Sequence, residues 1–171
     1  MHFYYINDLQ VQKLTVQVKY VNGMPLYRQE KDWLQYGFEL SRATMANWVI
    51  ECTDKYLRVL YEFYHRLLLS IEFAMADESP IQVLKEEERE ATAKSYVIGR
   101  KGWLFSDSPE GAEASAISYS IAETALANGL NVYKYITYVL EKRPTEEMAD
   151  SELEKLLPWN DKVFEICKIE R

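Results

Sequence analysis

LYRQEKDWLQYGFELSRATMANWVIECT, residues 26–53, carries two helical patterns and the stop between them. Leu26, Glu30, Trp33 and Leu34 recur at steps of three, four and eight residues, the spacing of one helix face. Gly37 follows where a helix needs a left-handed residue to end it. After a three-residue link, Ser41 stands as the N-cap of RATMANWVIECT. Helix, glycine turn and capped second helix form the outline of a helix-turn-helix. In that motif the second helix lies in the DNA major groove, its first residues facing base edges. Arg42, Thr44 and Asn47 take those positions, with side chains suited to phosphates, thymine methyls and adenine edges. Met45, Trp48 and Val49 turn inward. The same outline also describes an αα-hairpin packed in a core, and spacing alone does not separate the two.

On the N-terminal side, residues 13–22 (KLTVQVKYVN) alternate loosely and fit either a strand or a helix; Gly23 and Pro25 punctuate the chain after them. On the other side, residues 53–72 read as a regular helix, with Leu57, Leu60, Tyr61, Tyr64, Leu67, Leu68 and Ile71 along one apolar stripe. The stripe suits a core, or as the alternative another chain. His65 flanks it with no second histidine at metal-ligand spacing, so it reads as a surface residue. EFAMADESPIQVL (72–84) reads as strand, sharp turn at 77–80 and strand. KEEEREATAK (85–94) is a polar connection, and SYVIGRKGWLFS (95–106) returns to strand chemistry, split by Gly99 and Gly102. Ser108 and Pro109 open a helix with Ala114, Ile117, Ile121 and Ala125 on one face, stopped at Asn128 and Gly129. A helix over 131–142 comes next, then Pro144 and a short acidic helix leading into LLPWN. The expected fold class is mainly α with a small antiparallel β element. It divides into a helical region (1–70), a β region (71–106) and a C-terminal helical region (107–171).

Composition sets limits on function. The 171 residues are 48% hydrophobic and 27% charged, the balance of a globular chain with a core of its own. Cys52 and Cys167 sit in no CxxC or Cys/His pairing and read as free thiols of a reducing compartment. The N-terminus has neither a basic nor a long apolar segment, and Glu72 interrupts the longest apolar run; a cytoplasmic protein is expected. The net charge of −7 argues against a protein that merely coats nucleic acid. Residues 13–66 nevertheless hold eight Lys/Arg against six Asp/Glu, and 94–103 hold Lys94, Arg100 and Lys101 with no acid. Residues 144–171 carry eight acids against four bases. DNA contact therefore belongs to the first third of the chain or to the short basic island.

Asp77 ends an apolar run abruptly, the position at which a strand often presents a metal ligand. A two-metal phosphoryl-transfer site needs acids from several segments, holding ions about 3.5–4 Å apart. Asp107, Glu110, Glu113 and Glu123 exist, but none ends an apolar strand as Asp77 does. No glycine-rich phosphate loop, HExxH or GxSxG is present. On the residues alone, Asp77 reads as a turn residue before it reads as a ligand.

Three ordered blocks add to this. YVNGMPLYRQEKDWLQYGFELSRATMANWV, ADESPIQVLKEEEREATAKSY, and IGRKGWLFSDSPEGAEASAISYSIAETALANGLNVYKYITYVLEKRP with the later LLPWN closely resemble the insertion sequence 66 family of bacterial transposases. The resemblance runs from about Lys19 to about Cys167. It implies DNA transposition by a DDE-type, RNase H-like catalytic domain using Mg²⁺ or Mn²⁺ on the terminal inverted repeats of an element. It places the first catalytic carboxylate and metal ligand at Asp77. Its GRK-x-WLF block matches at Gly99, Arg100, Lys101, Trp103, Leu104 and Phe105. DNA contacts are then expected from Arg28, Lys31, Arg42, Thr44, Asn47, Arg100 and Lys101. In the family a long central region, with the second catalytic Asp and the catalytic Glu, separates KSY from IGRK. Here Ser95 and Tyr96 run straight into Val97, Ile98, Gly99 and Arg100. The family's zinc-binding and helical N-terminal regions are also expected to be missing. The expectation is an internally deleted transposase, inactive alone and binding no metal stably. The alternative is a regulator that occupies element ends, or that joins intact transposase in a homo-oligomer or mixed, inactive assembly.

Overall fold

The structure, a computed structural model, describes residues 9–71, 79–83, 94–97, 105–106 and 108–170. Helices dominate it. The segment left open between strand and helix is a helix, α1 (Leu9–Tyr20), and α2 (Leu26–Gln35) and α3 (Arg42–Cys52) come after it. The chain does not break after α3. One turn of π-helix (Thr53–Leu57) carries it directly into α4 (Arg58–Leu69), so residues 42–69 are continuously helical where two separate helices were expected. Nothing between Cys52 and Leu57 can stop a helix: there is no Gly, no Pro, and both flanking residues keep right-handed helical angles. Cys52 and Leu57 are five residues apart and both buried, a spacing that a π turn reconciles with one inward face.

Three short strands come next: β1 (Ser79–Val83), β2 (Lys94–Val97) and β3 (Phe105–Ser106), in the order β2-β1-β3. β1 pairs antiparallel with β2, Ser79 opposite Val97 and Gln82 opposite Lys94. It pairs parallel with β3, Gln82 opposite Phe105. The sheet is therefore mixed, not antiparallel throughout. β2 and β3 run in opposite directions on opposite edges of β1, so only one of them can oppose it. Pro80 lies within β1 rather than in a turn; β3 reaches only Gln82 and Val83, leaving the proline outside the paired part of that edge.

The C-terminal helices match their sequence signals closely. Ser108 caps α5 (Pro109–Ala127) by accepting the Gly111 N–H, with Pro109 at the first helical position. Gly129 (φ +74°) ends it, its N–H bonding Leu126 O while Leu130 N–H bonds Ala125 O. Asn131 caps α6 (Val132–Lys142). The short α7 (Asp150–Leu153) runs through a 3-10 turn (Glu154–Leu156) toward α8 (Asp161–Cys167). The Asn131 N–H donates to Cys167 O at 2.7 Å, tying the chain's last helix to the α5–α6 turn.

One core joins both helical regions. Val16 and Tyr20 of α1, Val49, Leu60 and Phe63 of the long helical run, Ile117 and Ile121 of α5, Tyr135 and Ile136 of α6 and Val163 of α8 are all buried together. Among these helices α4 gradually surfaces: Leu57 and Leu60 are fully buried, Tyr61, Tyr64 and Leu67 are half-buried, and Leu68 and Ile71 are exposed. The stripe read as continuous is thus a core face only in its first half. His65 is exposed.

Candidate nucleic-acid interface

The hairpin of α2 and α3 is built from local bonds. Buried Gln29 donates from Nε2 to Met24 O at 3.0 Å, anchoring α2 to the loop after α1. At the other end of α2, the Phe38 N–H bonds Trp33 O and the Gly37 N–H bonds Leu34 O, at 3.0 Å each. With Gly37 at φ +80° this is a Schellman motif. The Phe38 ring stands edge-on to the Trp33 ring at 6.0 Å, the apolar contact that accompanies the motif.

The second helix begins on two acceptors. Ser41 Oγ accepts the Thr44 N–H at 3.1 Å, as an N-cap does. Glu30 Oε1, from α2, accepts the Arg42 N–H at 2.9 Å. Two of the four N–H groups that a helix leaves unmatched at its start are thus satisfied, one of them from the neighbouring helix. A carboxylate at that end also suits the helix dipole. The bond fixes where α3 starts relative to α2.

Met45, Trp48 and Val49 are buried, and Arg42, Thr44 and Asn47 are exposed, as are Arg28 and Lys31 of α2. The Thr44 hydroxyl is 3.0 Å from Ser41 Oγ, so the two hydroxyls are hydrogen-bonded to each other at the cap. Arg28 Nε donates to Tyr27 Oη at 3.0 Å, and its guanidinium lies 5.7 Å from that ring's centre. Among the described residues neither Lys31 nor Arg42 is in an ion pair, which leaves both charges to the solvent side. Asp77, Arg100 and Lys101 lie outside the described residues.

Two features escaped the pattern. Leu34, one of the periodic positions of α2, is 60% exposed, and the buried residue of that helix is Gln29. Glu30, read only as a periodic position, is the link between the helices. The signal for it was an acid two turns ahead of a glycine stop and twelve residues before a helix start, too long a separation for any local rule.

Among the described residues no three His, Cys, Asp or Glu side chains are grouped to hold a metal ion, and no helix is long and apolar enough to cross a membrane. Cys52 and Cys167 are buried free thiols. Burial pushes the Cys52 thiol up to about 11, the adjacent Glu51 adding to the effect.

The sequence matches the family described as Transposase IS66 family over residues 10–97, and the IS66 C-terminal element over residues 120–159. It is 31% identical over 93 residues to the uncharacterized protein y4jD of Sinorhizobium fredii (strain NBRC 101917 / NGR234), covering 54% of this chain and 18% of that protein. It is 32% identical over 87 residues to the uncharacterized protein y4qI of the same strain, covering 51% of this chain and 14% of that one. The aligned stretch is thus less than a fifth of either relative. No solved structure matches the chain.

Proposed function

Because the chain belongs to the IS66 family of transposases, we propose that it acts in transposition of an insertion sequence as a DNA-contacting chain that does not cut or join DNA by itself. The observation that carries this reading is the α2–α3 hairpin. Arg42 and Asn47 stand exposed directly above buried Met45, Trp48 and Val49, and Arg28 and Lys31 are exposed on the preceding helix. That is the division of labour of a helix-turn-helix, in which the inward face fixes the outward one.

The lack of cleavage stems from the junction after β2. The first family match ends at Val97 and the second begins at Ser120. The resemblance leaves Asp77 as the one member of the DDE set in this chain, and the mixed sheet β1–β3 as what remains of the RNase H-like domain. A single carboxylate binds Mg²⁺ weakly, because the ion keeps most of its water. Removing members of a catalytic set that acts as a unit abolishes nearly all its activity. A chain that occupies element ends without cutting them competes with an intact transposase, which makes it a regulator.

Incubation with Mn²⁺ and duplexes carrying the element's terminal repeats tests the catalytic half: no nicked or joined product is expected. Specific cleavage that disappears in Asp77→Ala would overturn it. For the DNA half, Arg42→Ala should lower the salt dependence of binding by about one unit in the log–log slope, the loss of one phosphate contact. An unchanged slope removes Arg42 from the interface.

A further inference from the structure

An open cleft of about 480 Å³ lies between the end of α4 and the segment that leads into α8. Leu67 and Leu157 give it apolar surface, and Trp159 forms a wall. Trp159 is 52% exposed, its ring 5.9 Å from that of Tyr64. Tyr64 is itself held from behind. Its hydroxyl bonds that of buried Tyr135, which donates to Leu156 O at 2.8 Å. The aromatic wall therefore rests on a fixed support.

The remaining lining residues are Glu154, Asn160 and Asp161. Asn160 is committed locally: its Oδ1 accepts the Lys162 N–H at 3.1 Å and its Nδ2 reaches Glu154 O at 3.4 Å. Among the described residues neither the Glu154 nor the Asp161 carboxylate has an ion-pair or hydrogen-bond partner. Lys155 and Lys162, beside them in sequence, do not line the cleft.

This lining selects by charge. An exposed indole face attracts cations, and two carboxylates without counter-ions add to the attraction. Phosphate is repelled, so a nucleic-acid base stacked on Trp159 would carry its backbone into a field of the wrong sign. A neutral apolar ligand would strip water from the two carboxylates and return no bond to them. A cationic head on an aliphatic stem satisfies every part: the stem covers Leu67 and Leu157, and the head meets the indole and the acids. Guanidinium suits it better than ammonium, being planar for stacking and forked for carboxylates.

We infer that the cleft bounded by Leu67, Leu157, Trp159, Glu154 and Asp161 docks an arginine side chain from a basic peptide segment of a partner protein. This surface is separate from the α2–α3 hairpin and does not depend on DNA binding.

The experiment monitors the indole N–H signal of Trp159 in the full chain, assigned by its loss in Trp159→Phe. The probe is acetyl-triarginine amide, with the tricitrulline peptide as the uncharged isostere. A saturable shift with arginine only, weakening as salt rises and several-fold weaker in Glu154→Gln/Asp161→Asn, is the expected result. Both substitutions are on the surface and leave the core untouched. Equal shifts from the two peptides, no saturable shift, or an arginine response unchanged in the double variant would each overturn the inference.

Discussion

Thr53 Oγ1 lies 3.1 Å from Ser118 Oγ, both side chains buried, where the π turn meets the middle of α5. The pair sits at the point where the helical run of residues 42–69 changes its winding. It is flanked on the solvent side by Arg58, whose guanidinium spans Asp54 and Glu113 at 2.6 Å each. Together they join the π turn of the run to α5.

Thr53→Val keeps the shape of the side chain and removes its hydroxyl, leaving Ser118 Oγ buried without its partner. A loss of about 1–2 kcal/mol is expected by denaturant unfolding. Ser118→Ala alone should cost a similar amount. The double variant should lose less than the two singles added, because neither partner is then left unmatched.

Gly37→Ala tests the turn between α2 and α3. An added Cβ would meet nothing within 4 Å, so the penalty is that of the backbone at φ +80° alone. It should be about 1–2 kcal/mol. A larger loss would mean that the Trp33–Phe38 clasp had also opened, which tryptophan fluorescence would register.

Glu113 supplies a pH dependence. The hydrogen bond from Arg58, and then that cation's charge, hold its carboxyl below the ordinary 4.5. A depressed carboxylate contributes stability that is fully present above its unfolded value and lost as pH falls through the folded one. Glu113 is 57% exposed, so solvent screens the pair and Glu113→Gln should cost only about 0.5 kcal/mol at neutral pH. The difference from wild type should shrink with added salt and vanish in acid below the folded value.

Cys52 should resist alkylation. With its thiol pushed up to about 11 and its side chain 1% exposed, little thiolate is present or reachable at neutral pH. Iodoacetamide labelling, read by mass spectrometry, should be slow in the folded chain and fast in denaturant. Rapid labelling under native conditions would contradict the packing of α3 against α1.

What was legible in the sequence is what short-range chemistry dictates. Ser41, Ser108, Gly37 and Gly129 each mark a helix end, because a cap or a left-handed residue acts within four positions. α1 was not legible, since its burial inverts the usual pattern: Gln12, Lys13, Thr15 and Gln17 are buried while Leu14 is 38% exposed. Thr15 is satisfied by Val11 O one turn back, but Gln17 bonds Thr137 and Gln12 meets Cys52, partners no local reading connects. The same distance hid Glu30's bond to the start of α3. The continuity of residues 42–69 was missed for the opposite reason: Thr53 looked like an end, and no residue there enforces one. In the sheet, β3 pairs parallel because its neighbour is β1 and not β2, and periodicity does not encode which neighbour a strand takes.

DNA contact by the α2–α3 hairpin is measured by fluorescence anisotropy of the protein with labelled duplexes, one carrying the terminal repeats of the parent element and one scrambled, across a salt series. Preference for the repeats, weakened by Arg42→Ala and by Asn47→Ala, is the predicted result. Equal affinity for both duplexes, or no binding to either at low salt, would contradict a DNA-contacting role for the α2–α3 hairpin.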